Sequence, residues 1–310
     1  MNRELCWVLT GPTASGKTAL SIRLAKSHQC EIVCMDSMQI YRRMNIGTAK
    51  PTIEEMDGIP HHMIDVADPD DSFSVARYQE MAEACIADIH ARGKRALLVG
   101  GTGFYLRALR QPMALGGDAA ADESIRAELE YLATQDNGKE RLHDMLAEID
   151  PETAARLHLN DVRRAVRALE VYRLTGIPFS RQPQIQTDSR FEYRVATLTM
   201  DRSMLYSRIE KRVDMMVEQG LVEEVRSLLA EGVPADCQAM KAIGYKEIVP
   251  YLMGESDWTD TDYLLKLNTR HYAKRQLTWM RREENVLWVD SSMQDAYERL
   301  EKWYTQGEAI

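Results

Sequence analysis

The sequence predicts an α/β protein: a parallel sheet covered by helices on both faces, interrupted by an inserted all-helical domain. Three observations predict it. Short apolar runs without polar alternation recur at 5–9, 31–35 and 95–99, with helical patterns between them, as expected of strands buried on both faces. Strand character then fades between about 114 and 190, where helical patterns follow one another. It returns at 193–200 and 286–289, so the sheet resumes after the interruption. The expected organisation is a core of residues 1–113 and 191–310 around an insertion of 114–190.

The first strand, Leu5-Cys6-Trp7-Val8-Leu9, runs into Gly11-Pro12-Thr13-Ala14-Ser15-Gly16-Lys17-Thr18, and a helical pattern follows through Ala19, Leu20, Ile22, Leu24 and Ala25. Strand, loop and helix in that order are what the spacing G-x-x-x-x-G-K-[ST] needs in order to bind phosphate. The glycines let backbone N–H groups turn inward, and the helix dipole adds positive potential. Lys17 supplies a mobile charge for the outer phosphate, and the Thr18 hydroxyl can sit on Mg²⁺. The sequence therefore predicts a P-loop NTPase-like core that takes a diphosphate or a triphosphate.

The second strand, 31–35, ends at Asp36, and 62–66 reads as a third. Asp36 falls at the carboxyl end of its strand, where open parallel sheets bind ligands. Two roles stay open for it on the residues alone: an outer ligand of a metal, or a general base toward an attacking hydroxyl or amine. A long amphipathic helix is expected over 75–91, closed by Gly93. The strand at 95–99 leads to Gly100-Gly101-Thr102-Gly103 and another helix, so those amides and Thr102 can reach the same phosphates.

In the insertion, helices are expected at 123–133, 140–148 and 161–175, the last stopped by Gly176-Ile177-Pro178. The stretches 114–121 and 182–189 are candidate hinges. Helices also fill the interval between the last two strand runs, including 205–218 and 263–282. Arg208 and Arg212 lie one turn apart. Either could clamp a leaving pyrophosphate, and surface pairing with Glu210 or Glu218 is an equal alternative. Along 263–282, Arg270, Lys274, Thr278 and Arg281 share one face; the interleaved Tyr272 and Trp279 are read as core more than as stacking platforms for bases.

The chain of 310 residues carries a net charge of −9 with 28% charged residues and five cysteines. This describes a globular cytosolic protein without a disulfide framework, a signal-peptide core or an apolar stretch of membrane-spanning length. The cysteines lack metal-ligand spacing and read as buried thiols. His61-His62 reads as structural, with no ligand partner at the right spacing. Against the acidic net charge stand three basic clusters: six Lys or Arg without an acid from 266 to 282, then Arg163, Arg164, Arg167 and Arg173, then Arg42, Arg43 and Lys50. Such clustering points toward a polyanionic partner.

Taken together, these blocks resemble the tRNA dimethylallyltransferases (tRNA isopentenyltransferases). The resemblance runs through the loop at 11–18, Asp36-Ser37-Met38-Gln39-Ile40-Tyr41, Ile46-Gly47-Thr48-Ala49-Lys50-Pro51, Pro60-His61-His62, Asp65, Asp68-Pro69 and Val99-Gly100-Gly101-Thr102-Gly103. It continues through Arg164-Ala165-Val166-Arg167-Ala168-Leu169-Glu170, Arg208-Ile209-Glu210-Lys211-Arg212, Ala242-Ile243-Gly244-Tyr245-Lys246-Glu247, Thr269-Arg270 and Ala273-Lys274-Arg275-Gln276-Leu277-Thr278-Trp279. The resemblance implies transfer of a dimethylallyl group from its diphosphate to the exocyclic amine of the adenosine 3′ of the anticodon, in tRNAs reading codons that begin with U. The loop at 13–18, Lys17, Thr18 with Mg²⁺, and Arg212 would hold the diphosphate, with Thr102 close by. Asp36 would take the amine proton.

It further implies an extruded base read by Asp36, Ser37, Met38 and Gln39. Other RNA contacts would come from Arg126, Arg163, Arg164 and Arg167, from Lys241, Gly244, Tyr245 and Lys246, and from Lys274, Arg275, Gln276 and Arg281, with 47–50 lining the anticodon-loop side. The Gly- and Ala-rich 114–121 departs from the family pattern at the hinge before Arg126. No C-terminal Cys/His finger follows, which suggests a bacterial-type enzyme. A monomer in the cytoplasm is expected. A small-molecule kinase would use the same loop for ATP but leaves the basic helix unexplained. An adenylate isopentenyltransferase would keep the donor chemistry and use free nucleotide. A GTP switch would need an [NT]-K-x-D motif, which the sequence lacks.

Overall fold

The computed structural model describes residues 3–111, 122–182 and 188–307. The chain divides into two compact units, Met1–Arg110 with Ser189–Ile310, and Gln111–Asp188. The expected hinge at 114–121 and most of the one at 182–189 lie outside the described residues.

The first unit is built on β1 (Leu5–Thr10), β2 (Cys30–Cys34), β3 (His61–His62), β4 (Arg95–Val99), β5 (Glu192–Thr199) and β6 (Val286–Asp290). They form one sheet in the order β3-β2-β4-β1-β5-β6, with parallel pairing throughout. Helices α1 (Lys17–His28), α2 (Ile53–Met56), α3 (Val75–Ala91) and α4 (Gly103–Arg110) come before the second unit. That unit contains α5 (Glu123–Thr134), α6 (Gly138–Ile149), α7 (Pro151–Arg156) and α8 (Val162–Thr175). Then follow α9 (Arg202–Glu218), α10 (Leu221–Ala230), α11 (Tyr245–Leu252), α12 (Trp258–Met280) and α13 (Ala296–Gln306).

The missing polar alternation in β1 has a direct cause. Cys6 and Val8 join one hydrophobic cluster with Val33, Leu98 and Val195, while Trp7 and Leu9 join another with Ile32, Leu97 and Leu198. Successive residues point to opposite faces, and both faces are dry. Helix α13 seals one of them: Tyr304 stacks on Trp7 at 4.8 Å between ring centroids and donates to the Val8 carbonyl at 2.6 Å. On the other, Tyr78 of α3 stacks on Tyr105 of α4 at 3.7 Å and donates to the Cys34 carbonyl at 3.0 Å.

The third strand is shorter than the expected 62–66. Met63 and Asp65 take φ values of 61° and 55°, left-handed conformations that extended backbone cannot accommodate. The preceding histidines are structural. His62 Nε2 donates to Glu31 at 2.7 Å and His61 Nδ1 donates to the Ile59 carbonyl at 2.8 Å. All five cysteines are free thiols, and Cys6, Cys30 and Cys34 are buried. Helix α12 starts earlier than 263 because Asp257 caps it, accepting from the Asp260 amide at 2.9 Å.

Strand order positions the site. Strand β1 lies between β4 and β5, and β4 lies between β1 and β2. Because all run parallel, the chain leaves β1, β2, β4 and β5 at one edge of the sheet. The loop at 11–18, Asp36, the turn at 100–103 and the start of α9 therefore converge there, at the crevice where open α/β sheets hold ligands.

The second unit has its own core, with Leu129, Leu142, Leu146, Val166 and Leu169 packed together. Glu170, fully buried, accepts from Arg126 Nε at 2.9 Å, Arg167 at 2.7 Å and the Asp122 amide at 2.9 Å. Burial pushes its carboxyl up, but the bonds from Arg167, the Asp122 amide and Arg126 outweigh that and leave it below the ordinary glutamate range. Its contribution to stability is present at neutral pH and lost as pH falls through the depressed value. Glu170→Ala should destabilise this unit by about 2 kcal/mol at pH 7, and by less in acid, as read by thermal unfolding across pH.

Candidate active site

The phosphate loop joins β1 to α1. Gly11, Ala14 and Gly16 take φ values of 146°, 63° and 88°, and such alternation turns successive N–H groups toward a common centre. Gly16 caps α1 without a side-chain hydrogen bond, so the first-turn amides stay open to an anion. Among the described residues, the buried Ser15 hydroxyl has no hydrogen-bond partner. Lys17 Nζ donates to the carbonyls of Gly11 at 3.0 Å and Pro12 at 2.8 Å. From α9, the half-buried Arg212 approaches Thr13 Oγ1 at 3.4 Å. Arg208 is exposed, so of the two candidate clamps Arg212 is the one that meets the loop. Glu210 pairs with Arg270, not with either of them.

Asp36 sits beside this positive centre. Its Oδ1 accepts from the Met38 amide at 2.9 Å. Burial raises its carboxyl above the ordinary range, against the pull of the Met38 amide, Lys17, Gln39 and Arg212. Burial and the neighbouring Arg212 charge weaken Lys17's hold on its proton, bringing it to about 8, while Asp36 works the other way. Burial also lowers Arg212. Thr102 accepts from the Ser37 amide at 3.0 Å and approaches Ser37 Oγ at 3.4 Å, which ties the turn after β4 to the segment carrying Asp36. The Tyr272 hydroxyl is raised by burial and by Asp36, with Thr102 and Gln276 beside it. Lys17, Asp36, Thr102 and Arg212 thus share one partly buried centre, with Thr18 on the first turn of α1.

The segment after Asp36 is held from within. Gln39 Nε2 donates to the carbonyls of Thr48 and Ala49, both at 3.1 Å, and Gln39 Oε1 accepts from the Cys34 thiol at 3.3 Å. Gln39 therefore braces the 48–49 turn and has no free amide proton for a base. Lys50, with 5% of its side chain exposed, is bound to Asp65 at 2.6 Å, the Tyr41 carbonyl at 2.7 Å and Asn45 at 2.9 Å. Arg42 pairs with Asp68 and Arg43 with Glu231, so this basic cluster is internally neutralised.

Sequence reasoning missed Glu224 altogether. Its carboxylate accepts from the amides of Asn45, Ile46 and Gly47 at 2.9, 2.8 and 3.0 Å and from the Tyr245 hydroxyl at 2.6 Å. A side chain on Gly47 would strike the Tyr245 ring at 2.5 Å. Tyr245 is completely buried, which corrects its expected place on the RNA surface: it fixes the 45–47 loop instead. Gly244 is buried too, its amide donating to Glu247 at 2.8 Å. Gln276 is likewise 7% exposed and bonded inward. Trp279 packs over Gly103.

The remaining RNA candidates sort by exposure. Lys241, Lys246, Lys274, Arg275 and Arg281 are exposed in the first unit, with Lys246 3.6 Å from Glu247. Lys266 is engaged by Asp214 and Asp262 at 2.6 and 2.8 Å. In the second unit, Arg163 and Arg164 are exposed, the latter 2.9 Å from Asp161. Arg126 and Arg167 are bound to Glu170, so their primary role there is to hold α5 against α8.

Fold and site define the class: a phosphate-loop α/β enzyme with an anion-binding centre opposed by a carboxylate. The chain matches the IPP transferase model over residues 39–283 and belongs to that family. A tRNA dimethylallyltransferase of Bacillus mycoides is 50% identical over 94% of this chain and 91% of its own length. One from Geobacter metallireducens is 50% identical over 91% of each. The crystal structure of the full-length tRNA isopentenylpyrophosphate transferase from Bacillus halodurans aligns with TM-score 0.72 and 46% identity, over 98% of this chain and 95% of that one. A eukaryotic dimethylallyltransferase acting on tRNA aligns with TM-score 0.78 and 28% identity, over 99% and 85%.

Two outcomes follow from this geometry. Inorganic pyrophosphate affinity should weaken as pH rises through about 8, where free Lys17 loses its proton; calorimetry on Lys17→Met should show weak binding without that inflection. Glu224→Gln should raise the KM for tRNA about tenfold while pyrophosphate binding stays intact, because one part-buried hub of hydrogen bonds to the 45–47 loop is weakened.

Proposed function

We propose that the protein transfers a dimethylallyl group from dimethylallyl diphosphate to the exocyclic amine of the adenosine 3′ of the anticodon, in tRNAs reading codons that begin with U. The observation that carries this reading is the meeting of Lys17, Arg212 and the phosphate loop with Asp36 in one partly buried centre. In the reaction the allylic carbon–oxygen bond breaks and pyrophosphate leaves with the electron pair. The amine nitrogen bonds to that carbon and its proton passes to Asp36. Charge grows on the leaving group, so the inward amides, Lys17 and Arg212 are most effective in the transition state. The raised pKa of Asp36 makes it a better base than an exposed aspartate, provided the pH lies above its own value.

Mg²⁺ belongs to this reading as well. The Thr18 hydroxyl, on the first turn of α1 beside the loop, is the protein oxygen that would hold it. When bound, the ion would neutralise charge on the diphosphate. The exposed Lys274, Arg275 and Arg281 in the first unit suit phosphates of the anticodon stem-loop, and so, separately, do Arg163 and Arg164 in the second. The reading takes the protein as a monomer, and among the described residues no helix is long and apolar enough to cross a membrane. A tRNA substrate is in keeping with a cytoplasmic enzyme.

Incubation with labelled dimethylallyl diphosphate, unmodified tRNA and Mg²⁺ tests the reading. Label should enter tRNA with wild type and fall by about a hundredfold or more with Asp36→Asn, and the rate should drop in acid as Asp36 takes up a proton. Steady ATP hydrolysis with no label in tRNA would instead establish the kinase reading.

A further inference from the structure

Gln276 sits on α12 among the basic residues expected to meet RNA, yet its side chain points into the sheet edge. Its Oε1 accepts from the Thr13 amide at 2.9 Å, and its Nε2 donates to the Gly101 carbonyl at 3.1 Å. One amide group thus spans the phosphate loop after β1 and the glycine turn after β4. The fit is close: a side-chain carbon on Gly101 would lie 1.9 Å from Gln276 Nε2. Gln276 is 7% exposed, so water does not substitute readily for either bond. The flanking inward residues grip the same turn. Tyr272, one helical turn earlier, lies beside Thr102, and Trp279, about one turn later, packs over Gly103. Residues at this spacing share one helix face. Lys274 and Arg275 are exposed.

We propose that Gln276 is a positioning residue for the donor site, a clasp that fixes the separation between the phosphate loop and the 101–103 turn and thereby aims the loop amides and Thr102 at the diphosphate. It acts through backbone and touches neither substrate. At neutral pH a glutamine amide supplies both an acceptor for an N–H and a donor for a carbonyl, whereas an ionised carboxylate of the same length only accepts. With the clasp removed, the Thr13 amide and the Gly101 carbonyl lose their partners, the loop relaxes, and donor affinity drops while the exposed RNA face of α12 is unaltered. The inference rests on the proposed reading of residues 11–18 as the diphosphate site.

The test measures inorganic pyrophosphate binding and anticodon stem-loop binding separately, on the full chain, for wild type, Gln276→Met and Gln276→Glu. Gln276→Met keeps the volume and loses both bonds; pyrophosphate should bind about tenfold more weakly, with stem-loop affinity changed less than about twofold. In prenyl transfer its KM for the donor should rise while its KM for tRNA does not. Gln276→Glu keeps the acceptor and lacks the donor, so its deficit relative to wild type should shrink as pH falls and the carboxyl gains a proton. Pyrophosphate affinity unchanged in both variants overturns the clasp. So does a loss confined to stem-loop binding, which would make Gln276 an RNA contact, or an equal loss for both ligands, which a general structural role would produce. Wild type that binds pyrophosphate through Gln276 but modifies no tRNA would overturn the transferase reading and uphold the clasp.

Discussion

Two cations and a carboxylate crowded into a partly buried crevice at one sheet edge are the constraint on which the rest of this structure depends. Lys17 and Arg212 repel each other, and burial makes both charges costly. Asp36 offsets part of that cost but is itself penalised by burial. This centre is therefore electrostatically frustrated, and in the proposed reading a diphosphate relieves it by giving the cations a partner of higher charge than the single carboxylate. In that reading the anion releases Asp36 from its place as counterion and leaves it to accept a proton. The charges proposed to bind the donor would thus also free the base.

Holding like charges together needs a rigid frame, and the fold supplies it by adjacency. Neighbouring parallel strands deliver the phosphate loop, the Asp36 segment and the glycine turn to one edge, and side-chain bonds to backbone lock them to one another. Ser37 is fixed to Thr102, Gln39 to the 48–49 turn, and Gln276 to both Thr13 and Gly101. Glu224 does the same for the 45–47 loop, its carboxylate occupying three successive amides in the way an external anion would. The architecture uses one device twice, backbone amides gathered around negative charge. In the loop at 11–18 the charge is left for the ligand; at 45–47 it is built in.

What could be read in the sequence was whatever is local. The loop at 11–18 declares itself because its glycines, Lys17 and Thr18 lie within one turn of chain between a strand and a helix, and Asp36 because it ends an apolar run. Residues whose partners are remote were misread. Gln276 bonds to Thr13, 263 positions away; Tyr272 and Trp279, read as core at i−4 and i+3, were the signal that its face turns inward, and the basic residues around it masked that signal. Tyr245 looked like a neighbour of Lys241 and Lys246, yet its hydroxyl is committed to Glu224. Charge clusters misled for the same reason: Lys50, Lys266 and Arg270 find acids only once the chain has folded. The helical insertion was legible from its apolar periodicity. The Glu170 hub that binds Arg126 and Arg167 was not, because a buried carboxylate among arginines reads as a surface ion pair in one dimension.

The central claim is that this phosphate loop recognises the diphosphate of an allylic donor and not a nucleoside triphosphate. Calorimetric titration of the wild-type protein with dimethylallyl diphosphate and, separately, with ATP, both with Mg²⁺, tests it most directly. The account predicts saturable binding of dimethylallyl diphosphate that Lys17→Met abolishes, and no competition from ATP at equal concentration. Tight ATP binding that dimethylallyl diphosphate cannot displace would contradict it.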